Sequence, residues 1–526
     1  MMSHGSFPFI LVGLYFVALL AVGYESGRKK GDSNQYLNAT GSLPLWVSIT
    51  ACVAANCGSL DVFVMMALGA QYGMLACHFY WAGAVPALLV LAFWLLPAYA
   101  RGGYPTILDF IEHYYGRPTR TLAALGMAVM MMLLAGVCLY AVTQALASFL
   151  GWSVLTGVLV TAPLVLLYTW AGGFRATVYT ELLHFAVVLA AIVPLFLIML
   201  RSFGGFSHWL AVIPAARLHT WKTLPLLDPG APMDRFGVFF GLLLVLSLSY
   251  WGTDFVQMQR ALSVRRPEAV PAVPLSLATV KTFFAFLVVL PGITAPLVLL
   301  PHGQTNWNAT LPMLMMHYYS PLGMTIGVMG IAASLVSTFA NNVAGFNSVW
   351  VQSIYRPWLH CGASEQHYLR ISQLSNAAAV VLSVGAAYLA LNYANLMEYI
   401  QMILATFNAP IFALVSMGAI LPGRVRRGGL GALAVGLSCG IIHHCLVCAG
   451  FLHYGSRMAE DFYAAVLGYV VTAVTALLLH RLRRPDGVMT AHTNAPMRVP
   501  LRFTTATISW ATALAISFCL LTFWFW

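Results

Sequence analysis

Charge is the scarcest property of this chain. Of its 526 residues only 8% are Asp, Glu, Lys or Arg, and 60% are hydrophobic. Soluble domains carry about 25% charged residues, so no stretch reads as a separate soluble domain. Metal-binding cysteine spacing is missing too. Nine cysteines yield one CxxC, Cys445 and Cys448, inside an apolar stretch where packing is expected rather than zinc or redox chemistry. No Walker A loop is present, which excludes ATP as a direct energy source. No acid, base and nucleophile gather on one side of a bilayer, which argues against an enzyme. Basic residues are also missing ahead of the first apolar stretch, near 7–24, whereas Arg28, Lys29 and Lys30 follow it. That charge order is expected of a retained helix whose N-terminus lies outside, not of a signal peptide.

What the chain has is apolar length. Stretches long enough to cross a hydrocarbon core of about 30 Å recur throughout. Fourteen spans are expected, near 7–24, 44–70, 77–99, 120–148, 152–171, 178–201, 235–258, 274–298, 325–352, 368–391, 396–420, 429–450, 461–481 and 506–525. The fold class is therefore an all-α polytopic membrane protein. The net charge of +11 would suit a nucleic-acid partner, but the basic residues sit in short clusters beside the spans. With the N-terminus outside, 20 of the 26 Lys and Arg fall on one side and five on the other, with Lys281 inside a span. The positive-inside rule makes the richer side cytoplasmic and the bilayer, not nucleic acid, the partner. An inner or plasma membrane is expected. Asn308-Ala-Thr310 then lies outside as a candidate glycosylation acceptor.

Two spans are interrupted by polar residues. The second carries Asn56-Cys57-Gly58-Ser59-Leu60-Asp61, and the seventh Ser247-Leu248-Ser249-Tyr250-Trp251-Gly252-Thr253-Asp254. They stand five spans apart and open two sets of five, 44–201 and 235–420, with opposite orientations. Interrupted helices at matching positions of inverted repeats point to a transporter's midplane site, because unwound backbone at that depth must face a cavity or protein. The remaining parts are an extra N-terminal helix and loop (1–43), an external loop (202–234) and extra C-terminal helices (421–526).

Polar residues inside spans sharpen the site. Asp61, in the first break, is expected either to ligate a cation or solute or to cap the half-helix beyond. Lys281 is too deep for a surface lysine, and Asp61 or Asp254 is its expected partner. Ser334, Ser337 and Thr338 offer oxygen ligands for a hard monovalent cation, or else bonds to their own helix backbone. Asn341 and Asn342 extend that polar face. Glu181 and His184 open the sixth span, as interfacial or functional groups. The aromatics and methionines, Met130–Met132 included, read as packing or lipid-facing residues.

Longer motifs carry a resemblance. Thr106-Ile107-Leu108-Asp109-Phe110-Ile111-Glu112 followed by Tyr115-Gly116 and Arg120, the stretch Tyr168–Glu181, and Trp251–Arg260 together resemble the sodium:solute symporter family, over about residues 7–480. The resemblance implies a LeuT-type 5+5 inverted-repeat fold, sodium coupling and import of a small polar, sugar-like solute. It places the sodium ligands on the carbonyls of Ala54, Cys57 and Ser334 and the hydroxyls of Ser337 and Thr338. A second cation position known in some members falls on Glu181 and Asn341, where Glu replaces Asp and Ala340 and Asn341 replace hydroxyls. In the sugar-transporting branch Lys281 and Gln401 match solute contacts, Tyr250 an aromatic gate and Asn56 its partner. Other solute positions depart from that branch: Asp61 for Gln, Tyr80 for Glu, Gly83 for Ser and Ser247 for Asn. The solute-binding set is thus Asn56, Asp61, Tyr80, Ser247, Tyr250, Lys281 and Gln401. Proton coupling through Asp61 or Glu181, and a solute sensor without net transport, are the alternatives.

Overall fold

The computed structural model describes residues 44–97, 99, 104, 106–254, 261, 264–265, 267–299, 306–420, 426–482 and 503–526, with the side chains of 148, 150, 154, 164–180, 267, 426 and 427 excepted. The expected first span and the basic cluster after it lie outside the described residues, as do 255–260 of the Trp251–Arg260 motif. The described residues are almost entirely helical. Ten of their helices are long and apolar enough to cross a membrane, and Leu45–Asn56 and Gly237–Thr253 are shorter apolar helices.

The second expected span is two helices, α1 (Leu45–Asn56) and α2 (Ser59–Tyr72), broken at Cys57–Gly58. A mixed 3-10, π and α segment, α3 (73–95), follows. After α4 (Ile107–Tyr115) come α5 (Arg117–Leu150) and α6 (Val154–Ser202). The second half contains α7 (Gly237–Thr253), α8 (Ala272–Val298), α9 (Thr310–Tyr318), α10 (Pro321–Trp350), α11 (Glu365–Ala390) and α12 (Leu396–Ile420). Three helices close the chain: α13 (Arg426–Cys448), α14 (Arg457–Leu482) and α15 (Thr505–Trp524).

The motif after α3 is a folding device. Thr106 and Asp109 form a reciprocal capping box at the start of α4, satisfying amide donors that no helical carbonyl reaches. Gly116, at φ 88°, turns the chain into α5. Arg120 then pairs with Asp109 at 3.2 Å and with Glu112. These acidic and basic residues fasten α4 to α5 at the end of the bundle where Arg117 meets the Pro357 carbonyl at 3.0 Å.

At the opposite end, the loop between α6 and α7 covers α2. Arg217 donates to the carbonyls of Gly69 (3.3 Å) and Ala70, which suits a cation at a helix C-terminus. Burial lowers its pKa from the ordinary arginine value. The amides of Thr220 and Lys222 pair with the carbonyls of Phe525 and Trp526 at 2.7 and 3.3 Å, so the end of α15 straps this loop. Gln71 and Tyr72, ending α2, reach Glu398 at 3.0 and 2.9 Å, and Asn395 reaches Gln71 at 2.9 Å. These bonds tie α2 to the start of α12.

Several expectations are corrected. The spans expected at 152–171 and 178–201 belong to one uninterrupted helix of 49 residues. Gly172 and Gly173 loosen a helix without ending it, and no proline stands between Gly172 and Val178 to force a stop. Ten helices among the described residues meet the length and apolarity of a span, so the count of fourteen is not confirmed. Asn308 is 1% exposed; its side chain accepts from the Leu396 amide at 3.0 Å, so it is not presented for glycosylation. Cys445 and Cys448 lie on the exposed face of α13 rather than in packing. An apolar face toward lipid accommodates thiols as readily as an interior does.

Candidate transport site

The break in the α1–α2 pair follows from its sequence. Asn56, Gly58 and Ser59 are weak helix formers whose amides and hydroxyls compete for backbone bonds. The ladder ends where the Cys57 amide meets the Val53 carbonyl at 2.7 Å. The Ser59 amide instead crosses to Ser334 Oγ on α10, at 3.0 Å. Carbonyls near the break are thereby released from helical pairing. A Cβ on Gly58 would stand 3.1 Å from the Ala54 carbonyl oxygen, 3.2 Å from Ser334 Oγ and 3.9 Å from Thr338 Oγ1. Three of the expected sodium-site residues therefore surround one glycine.

Ser334, Ser337 and Thr338 stand three and four residues apart, on one side of α10. Both readings of these hydroxyls hold in part. Thr338 Oγ1 bonds its own backbone at the Ser334 carbonyl, 3.0 Å away. Ser337 Oγ is buried and meets no hydrogen-bond partner among the described residues. A buried hydroxyl costs free energy unless something satisfies it, and a sodium ion accepts such an oxygen. The donor set, all neutral oxygens, fits a hard monovalent cation.

Beside the break lies a cavity of about 210 Å³. Asn56, Asp61, Tyr80, Ser247, Tyr250, Lys281 and Gln401 all line it, and so do Thr338 and Asn341. Asp61 sits in the first turn of α2 but makes no capping bond; its Oδ2 accepts from Tyr80 Oη at 2.8 Å and Lys281 Nζ at 3.0 Å. Asp61, not Asp254, is thus the lysine's partner. Lys281 Nζ also donates to the Asn56 carbonyl at 2.8 Å and lies 4.7 Å from the centre of the Tyr80 ring. Tyr250 Oη reaches Asn56 Oδ1 at 3.4 Å.

The changed residues are mutually adapted. A Cβ on Gly83 would lie 2.5 Å from Ser247 Oγ, so the glycine makes room for the serine. Glu181 and Asn341 also meet, the Asn341 amide donating to Glu181 Oε1. Glu181 is buried within the protein.

Sequence reasoning missed part of the wall. Met130 and Met131, read as packing or lipid-facing, line the cavity, as do Leu134, Leu242 and Asn408. The methionines carry no polar signal. Asn408 does: it is a lone amide in the apolar stretch Leu404–Val415, where polar groups mark pathways. Its Oδ1 accepts from Thr253 Oγ1 at 2.5 Å while its Nδ2 is buried without a partner.

A broken helix facing hydroxyls on a second helix, next to a largely apolar cavity that carries several polar side chains, is the architecture of an ion-coupled secondary transporter. The comparisons agree. The sodium:solute symporter family model matches residues 36–436, and the chain belongs to that family. It is 25% identical over 456 residues to the sodium/glucose cotransporter of Vibrio parahaemolyticus, covering 81% of this chain and 83% of the relative. It is 25% identical over 472 residues to sodium/myo-inositol cotransporter 2 of Mus musculus, covering 82% and 68%. Among solved structures, the substrate-bound outward-open state of a Na+-coupled sialic acid symporter matches with a TM-score of 0.74 at 18% identity, over 92% of this chain and 99% of that one. The fold is thus LeuT-type. The chain is a multi-pass membrane transporter, not an enzyme, and sodium is its coupling ion.

Proposed function

We propose that the protein imports a small polar organic solute, sugar-like or closely related, together with sodium by alternating access. Sodium is assigned to the carbonyls of Ala54, Cys57 and Ser334 and the hydroxyls of Ser337 and Thr338. There it ties the broken helix to α10 and biases the population toward a state open to the outside. The solute enters the neighbouring cavity among Asn56, Asp61, Tyr80, Ser247, Lys281 and Gln401. Tyr250 closes beneath it, and both cargoes leave on the cytoplasmic side. The observation that carries this reading is the shared wall: the cavity touches both Asn56 at the break and Thr338 on α10.

The orientation, with the N-terminus outside, is part of the proposal. It is supported by the gathering of Arg117, Arg120 and Arg356 at one end of the bundle, the end assigned to the cytoplasm. Glu181 and Asn341 are the candidate second cation position. A cooperative sodium dependence would favour it and a hyperbolic one would remove it.

The test is thermal melting of the purified protein in sodium chloride and potassium chloride at equal ionic strength, with Thr338→Ala in parallel. A ligand at ~100 times its Kd stabilises by about 2.7 kcal/mol. The expected result is a sodium-specific rise that the variant loses. Indifference of the wild type to sodium would sink the assignment and favour proton coupling through Asp61 or Glu181. Solute binding without uptake into vesicles would favour the sensor.

A further inference from the structure

The charges of the cavity carry a conclusion about which solutes it accepts, and it rests on the transport reading above. Among the described lining residues Lys281 is the one cation. It has three partners within the protein: hydrogen bonds to the Asn56 carbonyl and the Asp61 carboxylate, and the Tyr80 ring, whose centre lies 4.7 Å from Nζ. A carboxylate on a solute would have to displace Asp61 to reach it. It would also face Asp61 itself, which lines the same space. In a site of low dielectric, like charges at close range are strongly disfavoured.

The polar atoms left over have the opposite preference. Asp61 Oδ1 takes part in neither the Lys281 nor the Tyr80 bond, both of which use Oδ2. Gln401 Oε1 is buried without a partner, in a residue 4% exposed. Both are acceptors. They call for hydroxyl or amine donors on the ligand, with Asn408 Nδ2 a buried amide donor that meets no partner among the described residues. The resemblance places glutamine at the position of Asp61, and an amide there would leave a lysine without its counter-ion.

We propose that Asp61 is a specificity-determining residue that occupies the cavity's single cation and so selects solutes bearing donors and no net negative charge. Its oxygens divide the work: Oδ2 holds Lys281 and Tyr80, and Oδ1 receives a donor from the solute.

The experiment uses the purified full chain in sodium chloride. Melting shifts are titrated with matched pairs of neutral and acidic compounds: aldohexoses against their uronates, pentoses against pentonates, and cyclitols against carboxylated cyclitols. The expected result is that a neutral member binds at least about tenfold more tightly than its carboxylate. In Asp61→Asn, which frees the ammonium, that preference should close or reverse. Equal or tighter binding of carboxylates by the wild type overturns the proposal, and so does an unchanged preference in Asp61→Asn. The wild-type comparison needs no variant, so a poorly folding substitution leaves the test in force. Stabilisation by sodium but by no member of the panel also overturns it, while leaving sodium coupling intact. Loss of the sodium effect itself counts against the transport reading instead.

Discussion

Lys281 and Asn56 are joined across the bundle: the lysine Nζ lies 2.8 Å from the carbonyl oxygen of Asn56, the last residue of α1 before the break. That carbonyl sits between those of Ala54 and Cys57, the assigned sodium ligands. One residue of α8 thus touches the backbone proposed to hold the ion while lining the cavity proposed to hold the solute.

The first prediction follows from burial. The Lys281 side chain is 6% exposed and that of Asp61 20%. Removing one member of a buried pair strands the other charge, at a cost of about 3 kcal/mol or more. Lys281→Met is expected to lower the melting temperature sharply, and Lys281→Met with Asp61→Leu to regain part of the loss. A double variant no more stable than Lys281→Met would show that the pair is not the source.

Ser337 offers a separate test of the ion site. Its buried hydroxyl makes no hydrogen bond among the described residues, so Ser337→Ala should leave stability in potassium unchanged or slightly improved. Sodium stabilisation should fall in the same variant. Equal losses in both salts would assign the hydroxyl a purely structural part.

Gly83 and Ser247 should behave as a unit. Gly83→Ala forces Ser247 Oγ from its place, because the new methyl would lie 2.5 Å from it. Solute affinity is expected to drop about tenfold with sodium stabilisation preserved, and adding Ser247→Ala should restore space and part of the affinity. Isothermal titration with whichever solute the panel identifies reads both. An additive double variant would mean the two positions act independently.

Far from the cavity, the capping box can be probed alone. Thr106→Ala removes the hydroxyl that accepts from the Asp109 amide at 3.2 Å and is expected to cost about 1 kcal/mol. Sodium and solute affinities should not change. A shift in either would show that α4 is coupled to the site.

Much of this was legible in the sequence because the bilayer is a demanding solvent. An apolar span must satisfy its own backbone, so Asn56, Gly58 and Ser59 within one announce a break, and Lys281 within another announces a partner. The choice of Asp61 over Asp254 was not legible, since spacing along the chain says nothing about which helices touch. Nor was the continuity of Val154–Ser202, because glycines permit a turn without compelling one. Met130 and Met131 pack in the core as expected, but their place on the cavity wall was not legible, because a side chain facing a cavity and one facing the core are equally apolar. The partner of Asn308 lies 88 residues away, at Leu396, so its local acceptor motif gave no hint of burial.

The methionines also bear on how the site ages. Met65, Met130, Met131 and Met397 place four thioethers around the cavity. Thioether side chains are flexible and polarizable, which lets a wall adjust to solutes of different outline. Oxidation to the sulfoxide makes the same side chain polar and chiral. Mild peroxide should therefore degrade solute binding ahead of global unfolding, and a bound solute should protect. The adaptability of the wall and its vulnerability to oxidants have one origin, the sulfur atom.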